Sequence, residues 1–216
     1  MQCDVFELTD HVKYVKKEWQ NRNRIRTKDD WIWLTVPTFT KNKDRQTIRE
    51  AMINNANNWQ SKHWKSLLLN YRKAPFFKQH EEFFTGLYSR KWAKLIDLNL
   101  AIITYLFQEL DINVKVIRSS DLDIHGNGTD MIIEMCRKLN AKTYLSGIGG
   151  RTYLDEAKFK EHNVTLMYQD FYHPTYRQLF EPFIPSMSII DVLFNMGNED
   201  SRKIILSSGR MIPAGA

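Results

Sequence analysis

Between residues 113 and 171 the chain alternates short β-branched runs with helical patterns, and no other stretch limits the possible folds so tightly. NVKVIRSS reads as a strand, GTDMIIEMCRKLNA as a helix with Thr129 as candidate N-cap, and KTYLSGIGG as a strand ending in a glycine turn. YLDEAKFKEHN then reads as a helix and NVTLMYQDF as a strand. Strand, helix, strand, helix, strand with short connections predicts a right-handed βαβαβ arrangement on a mainly parallel sheet, and so an α/β fold. Ligands of such sheets sit outside the carboxyl ends of the strands, where turn amides and helix N-termini converge. Those ends are Ser119 to Asp121, Ser146 to Arg151, and Gln169 to Phe171.

The flanking regions have other periodicities. CDVFEL and WIWLTVP read as strands, with the basic cluster EWQNRNRIRT on a turn or short connecting segment between them. Residues 56–110 form a helical insertion: Trp59, His63, Leu67 and Tyr71 recur every fourth residue in a core-facing stripe, with Asn58 as cap and Pro75 beyond the end. Two more helices follow, the third carrying Leu95, Leu98, Ile102, Ile103, Tyr105, Leu106 and Leu110. SMSIIDVLFNMG predicts a last helix, capped by Ser186 or Ser188 and stopped by Gly197. The whole reads as a single α/β domain, 1–216, with a flexible tail at 207–216.

Composition removes several functional classes. Cys3 and Cys136 are the two cysteines, too few for a disulfide framework or a CxxC zinc site, so the chain reads as a reduced, cytoplasmic protein. No apolar run reaches the length of a membrane span, and MQCDVFELTD has no signal-peptide pattern. The net charge of +6 is mild and interleaved with acids, which reads mostly as a solvated surface and makes nucleic acid the less favoured partner.

Four clusters carry potential chemistry. In SGIGG, Ser146, Gly147, Gly149 and Gly150 would let backbone amides approach a phosphate or carboxylate, with Arg151 adding charge. The alternative is a tight turn requiring positive φ. In EWQNRNRIRT, alternate spacing on an extended segment puts Arg22, Arg24 and Arg26 on one side and Asn21, Asn23 and Ile25 on the other. Such a row suits a bound anion, or else structural salt bridges. Asp10 beside His11 offers a general base, although neighbours on a strand face opposite ways. The remaining histidines, His125 included, lack metal-binding spacing, so no metal is expected, and Cys136 reads as a packed core thiol. No nucleophile elbow or catalytic-cysteine signature is present, and no motif specifies a cofactor.

Taken together, DHVKYVKKEWQNRNRI, WLTVP, NWQSKHWKSLLLNYRKAPFF, TYLSGIGG with YLD, and MYQDF with YRQLFEPFIPSMSIIDVLFNMG resemble the WbqC-like family over nearly the whole chain. The resemblance implies a cytosolic role in bacterial O-antigen or other surface-polysaccharide biosynthesis. It points to a transferase of an acyl or aminoacyl group onto an activated amino sugar. Two features depart from the family pattern. A first strand of the type HQPNYLPWLGYF is missing ahead of CDVFEL, so the chain reads as N-terminally incomplete, and Lys13 stands where the family tends to have glutamine. The family's first strand and histidine-bearing turn, followed by a DVFEL-like second strand and a late glycine turn before a helix, are also reminiscent of nucleotidyltransferase-like α/β folds that bind nucleoside phosphates.

The expected substrate is therefore an anionic small molecule, such as a sugar nucleotide or an acyl carrier. Arg22, Arg24 and the amides of Gly147, Gly149 and Gly150 would hold its charge, Asn21 and Asn23 would orient it, and Asp10 or His11 would accept the proton. A rival reading is a nucleic-acid module stacking bases on Trp19, Trp31 or Trp33, and a third is a non-catalytic partner of a larger assembly.

Overall fold

A computed structural model describes residues 2–40 and 45–215 of the protein. In chain order they form β1 (Val5–Leu8), β2 (Arg22–Arg26), β3 (Trp31–Thr35), α1 (Trp59–Tyr71), α2 (Phe77–Ser89) and α3 (Leu95–Glu109). There follow β4 (Lys115–Arg118), α4 (Gly128–Lys138), β5 (Thr143–Gly147), α5 (Glu156–Glu161), β6 (Thr165–Phe171), α6 (Ile189–Ser207) and β7 (Gly209–Pro213). The chain divides into two compact units, one of residues 1–10, 113–172 and 205–216, the other of 11–112 and 173–204.

The first unit is the α/β part. The run β4, α4, β5, α5, β6 follows the alternation read from the sequence. β1 pairs in parallel with β4, Val5 opposite Lys115 and Leu8 opposite Arg118. β5 pairs in parallel with β6, from Thr143 opposite Thr165 to Gly147 opposite Gln169. The two ladders are separate sheets, because β4 takes β1 as its partner and not β5. Periodicity marks which segments are strands, whereas pairing depends on contacts more than a hundred residues apart in sequence. The segment read as a flexible tail supplies β7, antiparallel to β6 with Phe171 opposite Gly209; Ala216 lies outside the described residues. Gly209 is required there, since a Cβ would come within 2.7 Å of the Asp170 carbonyl oxygen.

The core of this unit lies between α4, α5 and the sheet. Ile132, Ile133 and Cys136 of α4 pack with Phe159 of α5 and Leu166 and Tyr168 of β6. Full burial of such side chains stabilises by about 1.5–3 kcal/mol each. Burial also pushes the Cys136 thiol up to about 11, the behaviour of a packed and unreactive cysteine. Thr129 is not the cap of α4; Asn127 holds that position, and the Thr129 hydroxyl accepts a 3.0 Å bond from the Asp155 amide. Asp155 in turn caps α5 by accepting from the amides of Ala157 and Lys158.

The second unit is mostly helical. Trp59, His63, Leu67 and Tyr71 are buried along α1, the four-residue stripe expected, and Phe77, His80, Phe84 and Leu87 are buried along α2. Phe194 of α6 sits fully buried among the rings of Tyr71, Phe77, His80 and Phe84, with centroids 5.1–5.6 Å away. Gly197 does break α6, at φ 76° and ψ 174°, but the chain resumes as helix to Ser207. Beneath this cluster lies a polar network. Asp191 is fully buried and accepts from the hydroxyls of Tyr71 (2.6 Å) and Tyr176 (2.8 Å) and from Gln178 Nε2 (2.9 Å). Burial pushes its carboxyl up, against those hydrogen bonds and the nearby Arg26 guanidinium.

Among the described residues no helix is long and apolar enough to cross a membrane.

Candidate functional site

The arginine cluster is itself a strand, not a turn. β2 pairs antiparallel with β3, placing Arg22 opposite Thr35, Arg24 opposite Trp33 and Arg26 opposite Trp31. Directly opposed residues of an antiparallel pair share a face, so arginines and tryptophans line the same side. The Arg22 guanidinium stands 4.1 Å from the Trp33 ring centroid, and that of Arg24 lies 5.0 Å from Trp31 and 5.6 Å from Trp19. Trp33 meets Trp19 and Trp31 edge to face at 5.1 and 5.5 Å.

This interleaving answers how like charges tolerate one row. Each guanidinium faces π-electron density, an attraction of about 0.5–2 kcal/mol that depends on desolvation. Among the described residues neither Arg22 nor Arg24 forms an ion pair, and the Nε atom of each is buried without a hydrogen-bond partner. The salt-bridged alternative is therefore not what this strand does. Arg26 departs from the row: it is fully buried and donates to the carbonyls of Thr27, Asp30 and Pro182, while its amide donates to the Tyr71 hydroxyl.

The two asparagines differ in role. Asn21 is buried, and its Nδ2 donates to the Val36 carbonyl at 2.8 Å, fixing the hairpin base, while its Oδ1 is buried without a hydrogen-bond partner among the described residues. Asn23 is exposed and accepts from the Arg24 amide at 2.8 Å.

An open groove of about 340 Å³ abuts the ladder at Trp33, lined also by Thr35, Pro37, Asn57, Lys62 and His63. Its sequence spacing places His63 in a core stripe and nothing more; in the structure its Nε2 lies 3.1 Å from the Thr35 carbonyl, which makes Nε2 the protonated nitrogen. Burial lowers its pKa from 6.5 to about 4, partly offset by that hydrogen bond. The folded value lies below the unfolded one, so the unfolded state takes up the proton first as pH falls. Stability from this residue is complete above about pH 6.5 and is lost on acidification toward pH 4, by about 3 kcal/mol. His63→Gln is expected to flatten that part of the acid-side decline, read from urea unfolding at pH 7.5 and pH 4 in both proteins. Equal declines would mean that another group carries it.

The other expected site residues lie in the first unit, apart from His11. Asp10 is buried at the end of β1, accepting from the Ser120 amide (2.9 Å), the Ser120 hydroxyl (2.9 Å) and the Ser119 hydroxyl (3.2 Å). This ties the carboxyl ends of β1 and β4 together. The division between the units falls after Asp10, leaving His11 in the second.

The glycine segment after β5 is a 3-10 turn, Ile148–Thr152, and none of Gly147, Gly149 and Gly150 has positive φ. The alternative of a tight turn that requires positive φ therefore does not hold there. Gly150 is demanded by packing instead: a Cβ would lie 2.2 Å from Ser146 Oγ and 2.9 Å from Leu154 Cδ1. Ser146 is buried and donates to the Gly147 carbonyl, while Gly147 and Gly149 are exposed. The Arg151 guanidinium lies 5.1 Å from the Tyr168 ring. Arginine row and glycine turn thus belong to different units, and each stands as a local arrangement of its own.

Among the described residues no group of three or more His, Cys, Asp or Glu side chains is placed to hold a metal ion.

Comparison with known proteins bears out the family resemblance. The chain matches the WbqC-like protein family over residues 1–203. It is 32% identical over 198 residues to the uncharacterized protein Rv1507c of Mycobacterium tuberculosis, covering 91% of this chain and 85% of that one. No solved structure matches it.

Proposed function

The chain belongs to the WbqC-like protein family, and from that premise we propose that it is a cytoplasmic enzyme of bacterial surface-polysaccharide biosynthesis. It transfers an acyl or aminoacyl group to an activated amino sugar, taking an anionic substrate such as a sugar nucleotide or an acyl carrier.

One observation carries this reading: Arg22 and Arg24 are held against Trp19, Trp31 and Trp33 with no carboxylate partner among the described residues. A guanidinium pair oriented by aromatic faces and left without a counter-ion keeps its donor fork for a phosphate or carboxylate. Exposed Trp19 beside it offers a ring face to a nucleobase. In the first unit, the strand-end segment Ser146 to Arg151 supplies amides and a further guanidinium of the kind that meets a charged group. Transfer to an amine needs a proton acceptor, because the amine is protonated at neutral pH. Asp10 is committed to Ser119 and Ser120, so His11 takes that role in the proposal.

The test is binding of a nucleoside diphosphate sugar by calorimetry. Arg22→Ala and Arg24→Ala are each expected to weaken it about tenfold or more, the loss of one charge-assisted bidentate contact. Unchanged affinity in both would remove the arginines from the site. The same exposed tryptophan also favours a nucleic-acid module, for which affinity for a single-stranded oligonucleotide would fall steeply and linearly with salt on logarithmic axes. A shallow dependence, together with competition by free nucleotide, supports the sugar nucleotide.

A further inference from the structure

A second concavity, of about 400 Å³, lies in the helical unit at the start of α1, lined in part by Asn55, Asn58, Gln60 and Ser61. Residues of α2 and the segment after it, including Tyr88, Arg90 and Lys91, complete the lining, with the Trp64 ring beside that of Tyr88. Its volume is that of a small-ligand site, and no residue lining it is acidic.

Three features of the walls point to the same occupant. The first is charge. α1 has no side-chain cap and no acid in its first turn, and Asn58 stands in the left-handed region at φ 46°. The first amides of the helix are thus left for an outside acceptor, and the helix dipole favours a negative group there. Arg90 and Lys91 add two positive charges with no ion pair among the described residues. The Arg90 guanidinium is held 3.6 Å from the Trp92 ring centroid, which limits its freedom before any ligand arrives.

The second feature is unfilled hydrogen-bonding capacity. Gln60 is 8% exposed, and its Nε2 donates to Asn55 Oδ1 at 2.9 Å, while no described residue donates to its Oε1. Asn55 is itself fixed by donating to the Trp92 carbonyl and accepting from Trp59 Nε1, so the Gln60 amide cannot turn over without losing that bond. Tyr88 lines the same space, and its hydroxyl bonds to no described residue; burial raises its pKa, so it stays a neutral donor. The third feature is the ring surface. Trp64 and Tyr88 lie nearly parallel, at 26°.

We propose that this cavity is a binding site for a sugar bearing a single phosphate or carboxylate. The anionic group sits at the start of α1 between the helix amides and the Arg90 and Lys91 side chains. The hydroxyls pair with Gln60 Oε1 and the Tyr88 hydroxyl, and the apolar face of the sugar ring packs on the Trp64 and Tyr88 rings. The site is independent of the arginine ladder and does not rest on the transferase reading.

The informative variant is Ser61→Glu. Ser61 is the third residue of α1, where a carboxylate complements the helix dipole and competes for the same amides. The variant is expected to keep or raise the melting temperature while weakening binding of a hexose 1-phosphate or a hexuronate about tenfold or more, by calorimetry. Arg90→Ala with Lys91→Ala, both at exposed positions, is expected to do the same without a gain in melting temperature. The phosphate and carboxylate probes are run separately, and the tighter one identifies the charged group. Native affinity in Ser61→Glu overturns the proposal. So does inorganic phosphate binding as tightly as the hexose phosphate, since then the sugar contributes nothing. Loss of binding in Arg22→Ala and Arg24→Ala but not in Ser61→Glu assigns the ligand to the ladder instead, refuting this site and leaving the proposed function intact.

Discussion

Asp191→Ala is expected to lower the unfolding free energy by about 3–5 kcal/mol, read from urea denaturation at neutral pH. The carboxylate gathers donors from three directions, the hydroxyls of Tyr71 and Tyr176 and the amide of Gln178, and it faces the charge of Arg26. Alanine leaves the Tyr71 and Tyr176 hydroxyls without this acceptor, Gln178 Nε2 with the Ile184 carbonyl alone, and the guanidinium without its nearby negative charge. The network is also a link between elements, since Tyr71 ends α1 and also accepts from the Arg26 amide of β2. A loss below about 1 kcal/mol would show that water or rearranged side chains satisfy these groups. The pH dependence has a sign of its own. Burial raises the Asp191 carboxyl above its ordinary value, so acidification between the folded value and the unfolded one relieves the cost of burying its charge. That trend opposes His63, whose folded pKa is depressed.

Gly197→Ala is the second large effect, about 4 kcal/mol of destabilisation, from two causes that add. At φ 76° and ψ 174° the backbone occupies a region open essentially to glycine, costing about 1–3 kcal/mol for any other residue. An added Cβ would also stand 2.8 Å from Cδ1 and Cε1 of the Phe76 ring, an overpacking cost of about 1–3 kcal/mol. The Phe76 amide donates to the Phe194 carbonyl, which holds in place the backbone that carries the ring. Thermal and urea unfolding should both show the loss. Glycine-like stability in the alanine variant would mean that the kink is not needed for the packing of α6.

What was legible in the sequence was local. The stripe on α1, the order β4, α4, β5, α5, β6, the burial of Cys136 and the shared face of Arg22 and Arg24 all follow from spacing within a segment. What failed was set at a distance. Arg26 looked like the third of three equal arginines, yet it is buried by a carbonyl 156 residues away, at Pro182. Thr129 looked like a cap, but its hydroxyl serves the Asp155 amide. The 207–216 segment looked like a tail, with small residues and little pattern, because an edge strand draws its stability from the neighbour it pairs with. The glycines after β5 suggested backbone freedom, whereas Gly150 is there for lack of space. The cavity at the start of α1 left one trace, an asparagine-rich approach to an uncapped helix, and the rest of its lining comes from α2 and beyond.

The placement of β7 sets a schedule for synthesis. By the time residue 171 is made, β1, β4, β5 and β6 all exist, yet the outer margin of β6, TLMYQDF, has no neighbour until residues 209–213 arrive. At usual ribosomal speeds that interval lasts roughly 2–8 s. During it the nascent chain carries an uncovered β-branched and aromatic margin, the kind of surface that recruits chaperones or pairs with another chain.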